Sequence, residues 1–136
     1  MKIFIVCSKH NYDKVKPIVA ILKDKGHKIH LPNGFNEPEK ESEMQKMSKE
    51  EFQKWKENML KEDEKIILQN DAIFVLNFEK KGIPNYIGGA TFLEMFNAWR
   101  LKRKIFLYNP LPNCSFTDEL KAFGPIIING NLEMIK

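Results

Sequence analysis

Cysteine is scarce in this chain: only Cys7 and Cys114 occur in 136 residues, and their separation matches no metal-binding or redox spacing. Neither a disulfide framework nor a zinc site is expected on that ground, and two buried or half-buried thiols are the better reading. Long hydrophobic runs are missing too. No apolar stretch approaches the roughly 18 to 20 residues that a membrane span needs, and the amino terminus enters a strand pattern at once, without a signal-peptide layout. A cytoplasmic protein that does not engage a membrane is expected. Nor does charge of one sign dominate, because the net charge is only +4 and the lysines lie among glutamates along helical segments. The densest basic cluster, Arg100, Lys102, Arg103 and Lys104, falls where a helix should end, where cations complement the helix dipole without any partner. Nucleic acid is therefore not an expected partner. There is no G-x-G-x-x-G or P-loop glycine spacing, no G-x-S-x-G elbow, no Ser-His-acid arrangement, and no convergent spacing of His10, His27 and His30. No metal or cofactor is expected.

What is present is the composition of an ordinary globular fold, 43% hydrophobic and 29% charged, at a length that suits a single domain over residues 1–136. Lys2 to Cys7 reads as a continuous β-rich strand, and Asn11 to Lys25 follows with helical spacing through Val15, Ile18, Val19 and Leu22 until Gly26. His27 to Leu31 alternates as a second strand, stopped by Pro32 and the Asn33-Gly34 turn pair. Residues 35 to 47 are polar and poorly periodic, which predicts a mobile loop or linker. Ser48, with Glu51 three residues on, opens a helix running to about Gln69. Asp71 to Asn77 is the clearest buried strand. A loop with Gly82, Pro84, Gly88 and Gly89 leads into a helix from Ala90 to Lys102, followed by a strand from Lys104 to Tyr108, a short helix from Thr117 to Phe123 and a last strand from Pro125 to Ile128. This alternation predicts an α/β fold, a doubly wound parallel sheet of about five strands with helices on both faces.

In such sheets ligands bind where strand carboxyl ends meet helix amino ends. That directs attention to the turn after Cys7, the loop from Asn77 to Gly89, and the Asn109-Pro110 turn. Two carboxylates stand out. Asp63 shares a helix face with Trp55, Met59, Ile66 and Ile67, so it is either paired at the edge of the stripe or held in a site. Glu94 lies one turn into the helix after Gly88-Gly89, with the small Ala90, Thr91 and Ala98 on its side. It could project into the crevice, or simply favour the helix amino end by about 0.3–1 kcal/mol. The glycine pair offers backbone amides suited to a phosphate or another anion, or serves tight turns.

Taken together, Asp63, the run Asp71-Ala72-Ile73-Phe74-Val75-Leu76-Asn77, the run Gly88-Gly89-Ala90-Thr91-Phe92-Leu93-Glu94, Ala98, and Lys104-Ile105-Phe106-Leu107 resemble the nucleoside 2-deoxyribosyltransferase superfamily, which includes 2'-deoxynucleoside 5'-phosphate N-hydrolases. The resemblance covers most of the chain. It implies a flavodoxin-like fold and a homodimer in which each active site borrows residues from the other subunit. It also implies that Glu94 is the nucleophile at the anomeric carbon and that Asp63 assists departure of the base. An oxocarbenium-like transition state suits that pairing, since one carboxylate can trap the sugar while an acid helps the leaving group.

Where transferases carry an acidic residue in the loop before the glutamate, Gly88 stands here, so water is the expected acceptor. Ile5 occupies the place of a first-strand tyrosine, with Tyr86 as a possible substitute. The phosphate-binding serine of the nucleotide hydrolases has no counterpart in the loop, leaving Thr91 and the backbone of Gly88 and Gly89. A shorter stretch, Gly88-Gly89-Ala90-Thr91, is similar to the glycine-threonine-glutamate motif of phosphoribohydrolases, which keeps ribonucleotides open as substrates. The expected substrate-binding residues are Ser8, Lys9, Asn77, Tyr86, Gly88, Gly89, Thr91 and Asn109, with the loop after Pro32 over the base. The expected activity is cleavage of the N-glycosidic bond of a nucleoside or its 5'-monophosphate. A base-exchanging deoxyribosyltransferase and a non-catalytic nucleotide-binding protein are the alternatives.

Overall fold

In the computed structural model, which describes residues 1–136, the strands β1 (Lys2–Val6), β2 (Lys28–His30), β3 (Ala72–Val75), β4 (Lys104–Leu107) and β5 (Ile126–Ile127) form one sheet. All pair in parallel, in the order β2-β1-β3-β4-β5. The helices are α1 (Val15–Asp24), α2 (Lys40–Gln45), α3 (Lys49–Leu68), α4 (Gly89–Arg100) and α5 (Thr117–Ala122). This is the doubly wound α/β arrangement that the alternation of elements predicts, and it is consistent with the flavodoxin-like fold that the resemblance implies.

Strands β1 and β3 lie inside the sheet and are covered on both faces, which is why they are near-continuous apolar runs. Successive side chains alternate between the faces. Ile3 and Ile5 pack with Val15, Val19 and Leu22 of α1 and with Ile128 and Ile135. Phe4 and Val6 face the other way, onto Ile66 and Ile67 of α3, Met95 and Ala98 of α4, and Leu120 of α5. Each fully buried Leu, Ile or Phe contributes roughly 1.5–3 kcal/mol through water exclusion. His27 closes the α1 side: its Nδ1 accepts from the Met1 amino group at 3.1 Å and its Nε2 donates to the Ile135 carbonyl at 3.2 Å.

Two elements differ from expectation. The segment from Asn11 to Lys25 is not one helix, because a 3-10 helix over Lys9–Lys14 precedes α1. Ser8 caps that 3-10 helix, its Oγ accepting from the His10 amide at 3.4 Å. The stretch 35 to 47 is not merely a loop, since it contains α2. That helix buries no residue, so it has no apolar stripe for periodicity to reveal. An ion pair of 2.7 Å between Glu41 and Lys56 ties it to α3. The predicted start of α3 holds, with Ser48 Oγ accepting from the Glu51 amide at 3.2 Å. No helix is long and apolar enough to cross a membrane.

From β1 the chain winds outward to β2 and then returns across β1 to β3. The reversal separates the connections leaving the carboxyl ends of β1 and β3, and a crevice opens between them.

Candidate active site

The crevice is a cleft of about 360 Å³. Five segments reach it. The end of β1 and the 3-10 helix supply Cys7, Ser8, Lys9, His10 and Tyr12; the turn after β2 supplies Asn33 and Gly34; α2 and the residues before it supply Glu37 and Glu41. Helix α3 adds Trp55, Met59 and Asp63, while the loop after β3 and the start of α4 add Lys80, Tyr86, Gly88, Thr91 and Glu94.

Of the residues expected from the sequence, Asp63, Glu94, Ser8, Lys9, Tyr86, Gly88, Gly89 and Thr91 all line this cleft. Asn77 and Asn109 do not. They follow β3 and β4 at the correct end of the sheet, but their polar groups are used on each other. Asn77 Nδ2 donates to the carbonyls of Asn109 and Pro110, its Oδ1 accepts from the Asn109 amide at 2.8 Å, and Asn109 Nδ2 donates to the Asn77 carbonyl. Asn77 is only 1% exposed, so it is a clasp between two strand ends. Ile5 is likewise fully buried against α1 and presents nothing to a ligand. The tyrosine that the first-strand region does bring to the cleft is Tyr12.

Asp63 is 8% exposed, and its partner is an amide rather than a lysine: Asn33 Nδ2 donates to Asp63 Oδ1. Burial pushes the carboxyl up to about 6, against the opposing effect of that hydrogen bond, while Glu62 raises it and Lys56 lowers it. The Glu94 carboxyl makes no hydrogen bond within the chain. Enclosure by protein raises it well above the ordinary glutamate range, and the charge of Asp63 raises it further. Two carboxyl groups from different helices thus share one cleft, and the charge of Asp63 disfavours ionisation of Glu94. No family model, curated protein or solved structure matches the chain.

The chemistry open to the cleft follows from its side chains. Burial, and after it the charge of Glu94, pushes the Cys7 thiol up to about 12, which keeps it a neutral neighbour rather than a nucleophile. Tyr12 is also pushed up to about 12, chiefly by burial and then by Cys7, Glu94, Glu41 and Asp63. It therefore remains a hydrogen-bond donor, and its hydroxyl donates to the Asn33 carbonyl at 2.9 Å. No group of three or more His, Cys, Asp or Glu is arranged to hold a metal ion.

On the opposite side, α4 is preceded by Gly88 at its N-cap, which offers no side-chain cap, so its first-turn amides are free to meet an anion. A Cβ at Gly88 would lie 3.3 Å from the Tyr86 ring; glycine lets that ring close over the helix start. Lys80 Nζ stands 4.9 Å from the centre of the same ring. Sequence reasoning did not pick out Tyr12, Asn33 or Lys80 as site residues. The usable signal was position, since Asn33 sits at the carboxyl end of β2 and Tyr12 within one turn of the end of β1.

Proposed function

We propose that the protein cleaves the N-glycosidic bond of a nucleoside or nucleoside 5'-monophosphate, with water as the acceptor. The observation that supports this is the pair Glu94 and Asp63, two enclosed carboxyl groups facing one cleft that is also lined by the aromatic rings of Tyr12, Trp55 and Tyr86 and by Lys9 and Lys80. In the empty cleft enclosure raises both groups, so each holds its proton to a higher pH than a solvated carboxyl does. A sugar docked against Glu94 develops positive charge at C1', which favours the ionised form of Glu94 and leaves the proton on Asp63.

Glu94 then bonds to C1' as the C1'–N bond breaks. The bonding electrons leave with the base, and Asp63 supplies the proton that neutralises it. Water attacks C1' of the resulting ester, its proton passes to the Asp63 carboxylate, and Glu94 is released as a carboxylate. Trp55 and Met59 suit the flat face of a base. Ser8, Lys9, Lys80 and the start of α4 suit the sugar and an anionic 5' substituent. Water is favoured over a second base because Gly88 stands where an acid would hold the incoming base, with the Tyr86 ring against it.

A homodimer belongs to the same proposal. Leu93, Phe96 and Trp99 on α4 are 43%, 40% and 49% exposed, and the Phe96 and Trp99 rings pack with Phe123 into one outward aromatic patch. The patch lies on the helix that carries Glu94, where a second copy would sit close to the cleft.

The test is incubation of the purified protein with ribo- and deoxyribonucleosides and their monophosphates, with and without an acceptor base, followed by chromatography of the bases. Free base without an acceptor is the expected result. Release only with an acceptor would make the protein a transferase, and no release from any substrate would make it a binder.

A further inference from the structure

Asn33 lies between Pro32 and Gly34 at the end of β2, and both its backbone and its side chain are tied across the cleft. Its carbonyl accepts from Tyr12 Oη at 2.9 Å, anchoring the turn to the 3-10 helix after β1. Its side-chain amide donates to Asp63 Oδ1 on α3. With the amide N–H donating to Oδ1, that oxygen acts as the acceptor, which suits the ionised carboxyl and also a carboxyl whose proton sits on Oδ2. With Oδ1 occupied, Oδ2 is the oxygen of Asp63 that makes no hydrogen bond within the chain and remains open to the cleft.

We propose that Asn33 is the positioning residue of the acid: by holding Oδ1 it assigns the transferable proton to Oδ2, aims it at the leaving base, and makes Asp63 a stronger donor. This rests on the glycosidase reading of the cleft. The strengthening follows because a hydrogen bond given to the ionised form favours that form, so the proton is surrendered more readily. Burial alone would make Asp63 a more sluggish acid. The other groups facing it are Glu62 and Lys56 on its own helix, Glu94 on α4 and Tyr12 on the 3-10 helix, with Glu41 on α2 paired to Lys56. Among them Asn33 alone donates a hydrogen bond to the carboxyl.

The experiment titrates the Asp63 carboxyl carbon by NMR in the full-length protein and in the variants Asn33→Ala, Asn33→Asp and Tyr12→Phe. Base release is measured alongside across pH, for nucleosides whose bases leave easily and with difficulty. In Asn33→Ala the Asp63 midpoint should rise by about one pH unit. The kcat for a poor leaving base should fall about tenfold while KM and the good leaving base change little. Asn33→Asp keeps the shape and turn preference, and its facing carboxylate should raise the midpoint further. Tyr12→Phe should act in the same direction but less, since it loosens the turn and leaves the amide in place. An unmoved or lowered Asp63 midpoint in the folded Asn33 variants, or an equal loss on every base, overturns the assignment of Asn33. A rise in the midpoint in a protein that releases no base from any nucleoside instead overturns the glycosidase reading and leaves the Asn33–Asp63 link standing.

Discussion

Glu94 and Asp63 tie stability to pH in a direction opposite to that of most surface carboxylates. Both are raised in the folded chain, Asp63 to about 6 from 3.8, so folding favours their protonated forms. Their contribution is complete below the unfolded-state values and is lost as pH climbs through the folded-state ones, for Asp63 by about 3 kcal/mol across that interval. Glu94→Gln removes the proposed nucleophile but also an ionisation that burial disfavours. It should lower base release by about 10³-fold or more, while raising the urea midpoint at pH 8 and leaving it nearly unchanged at pH 4. A variant that loses stability at pH 8 would show that the Glu94 charge is compensated by the fold. Asp63→Asn should slow release by roughly 10²-fold for bases that need protonation and less for those that do not. A uniform loss together with a lower thermal midpoint would mark Asp63 as a structural partner only.

At the scale of elements, the loop-forming residues separate into those that shape the sheet and those that meet a ligand. Asn77 holds the ends of β3 and β4 together with four hydrogen bonds shared with the Asn109-Pro110 turn. Replacing it with alanine should destabilise the protein by about 2–4 kcal/mol, because buried partners are left unsatisfied. The KM of the folded fraction should not change; a raised KM would return Asn77 to the ligand site. Asn77 looked like a site residue because strand ends were the only guide, and a strand-end asparagine can point along the sheet edge as readily as into the crevice. The strands and the longer helices were legible because burial on fixed faces imposes a period on the sequence, and for the same reason the carboxylates at Asp63 and Glu94 stood out. Helix α2 and the 3-10 helix carry no such period. Tyr12 and Asn33 gain their roles only when turns distant in sequence meet across the sheet, which local pattern does not record.

For the whole molecule, the outward patch of Leu93, Phe96 and Trp99 sets the expectation for assembly. Sedimentation at micromolar concentration should give a dimer, and Phe96→Glu combined with Trp99→Glu should give a monomer, since opposing like charges in an apolar contact are strongly unfavourable. A fully active wild-type monomer would remove the shared-site part of the proposal. The placement of the two tryptophans adds a practical consequence. Trp55 lines the cleft, whereas Trp99 lies on the outer side of α4, and the chain has no other indole. The protein thus carries two intrinsic fluorophores in two separate environments. In a Trp99→Phe background the emission should respond to nucleotide alone, and in a Trp55→Phe background to protein concentration alone, so that occupancy and association can be followed independently in unlabelled protein.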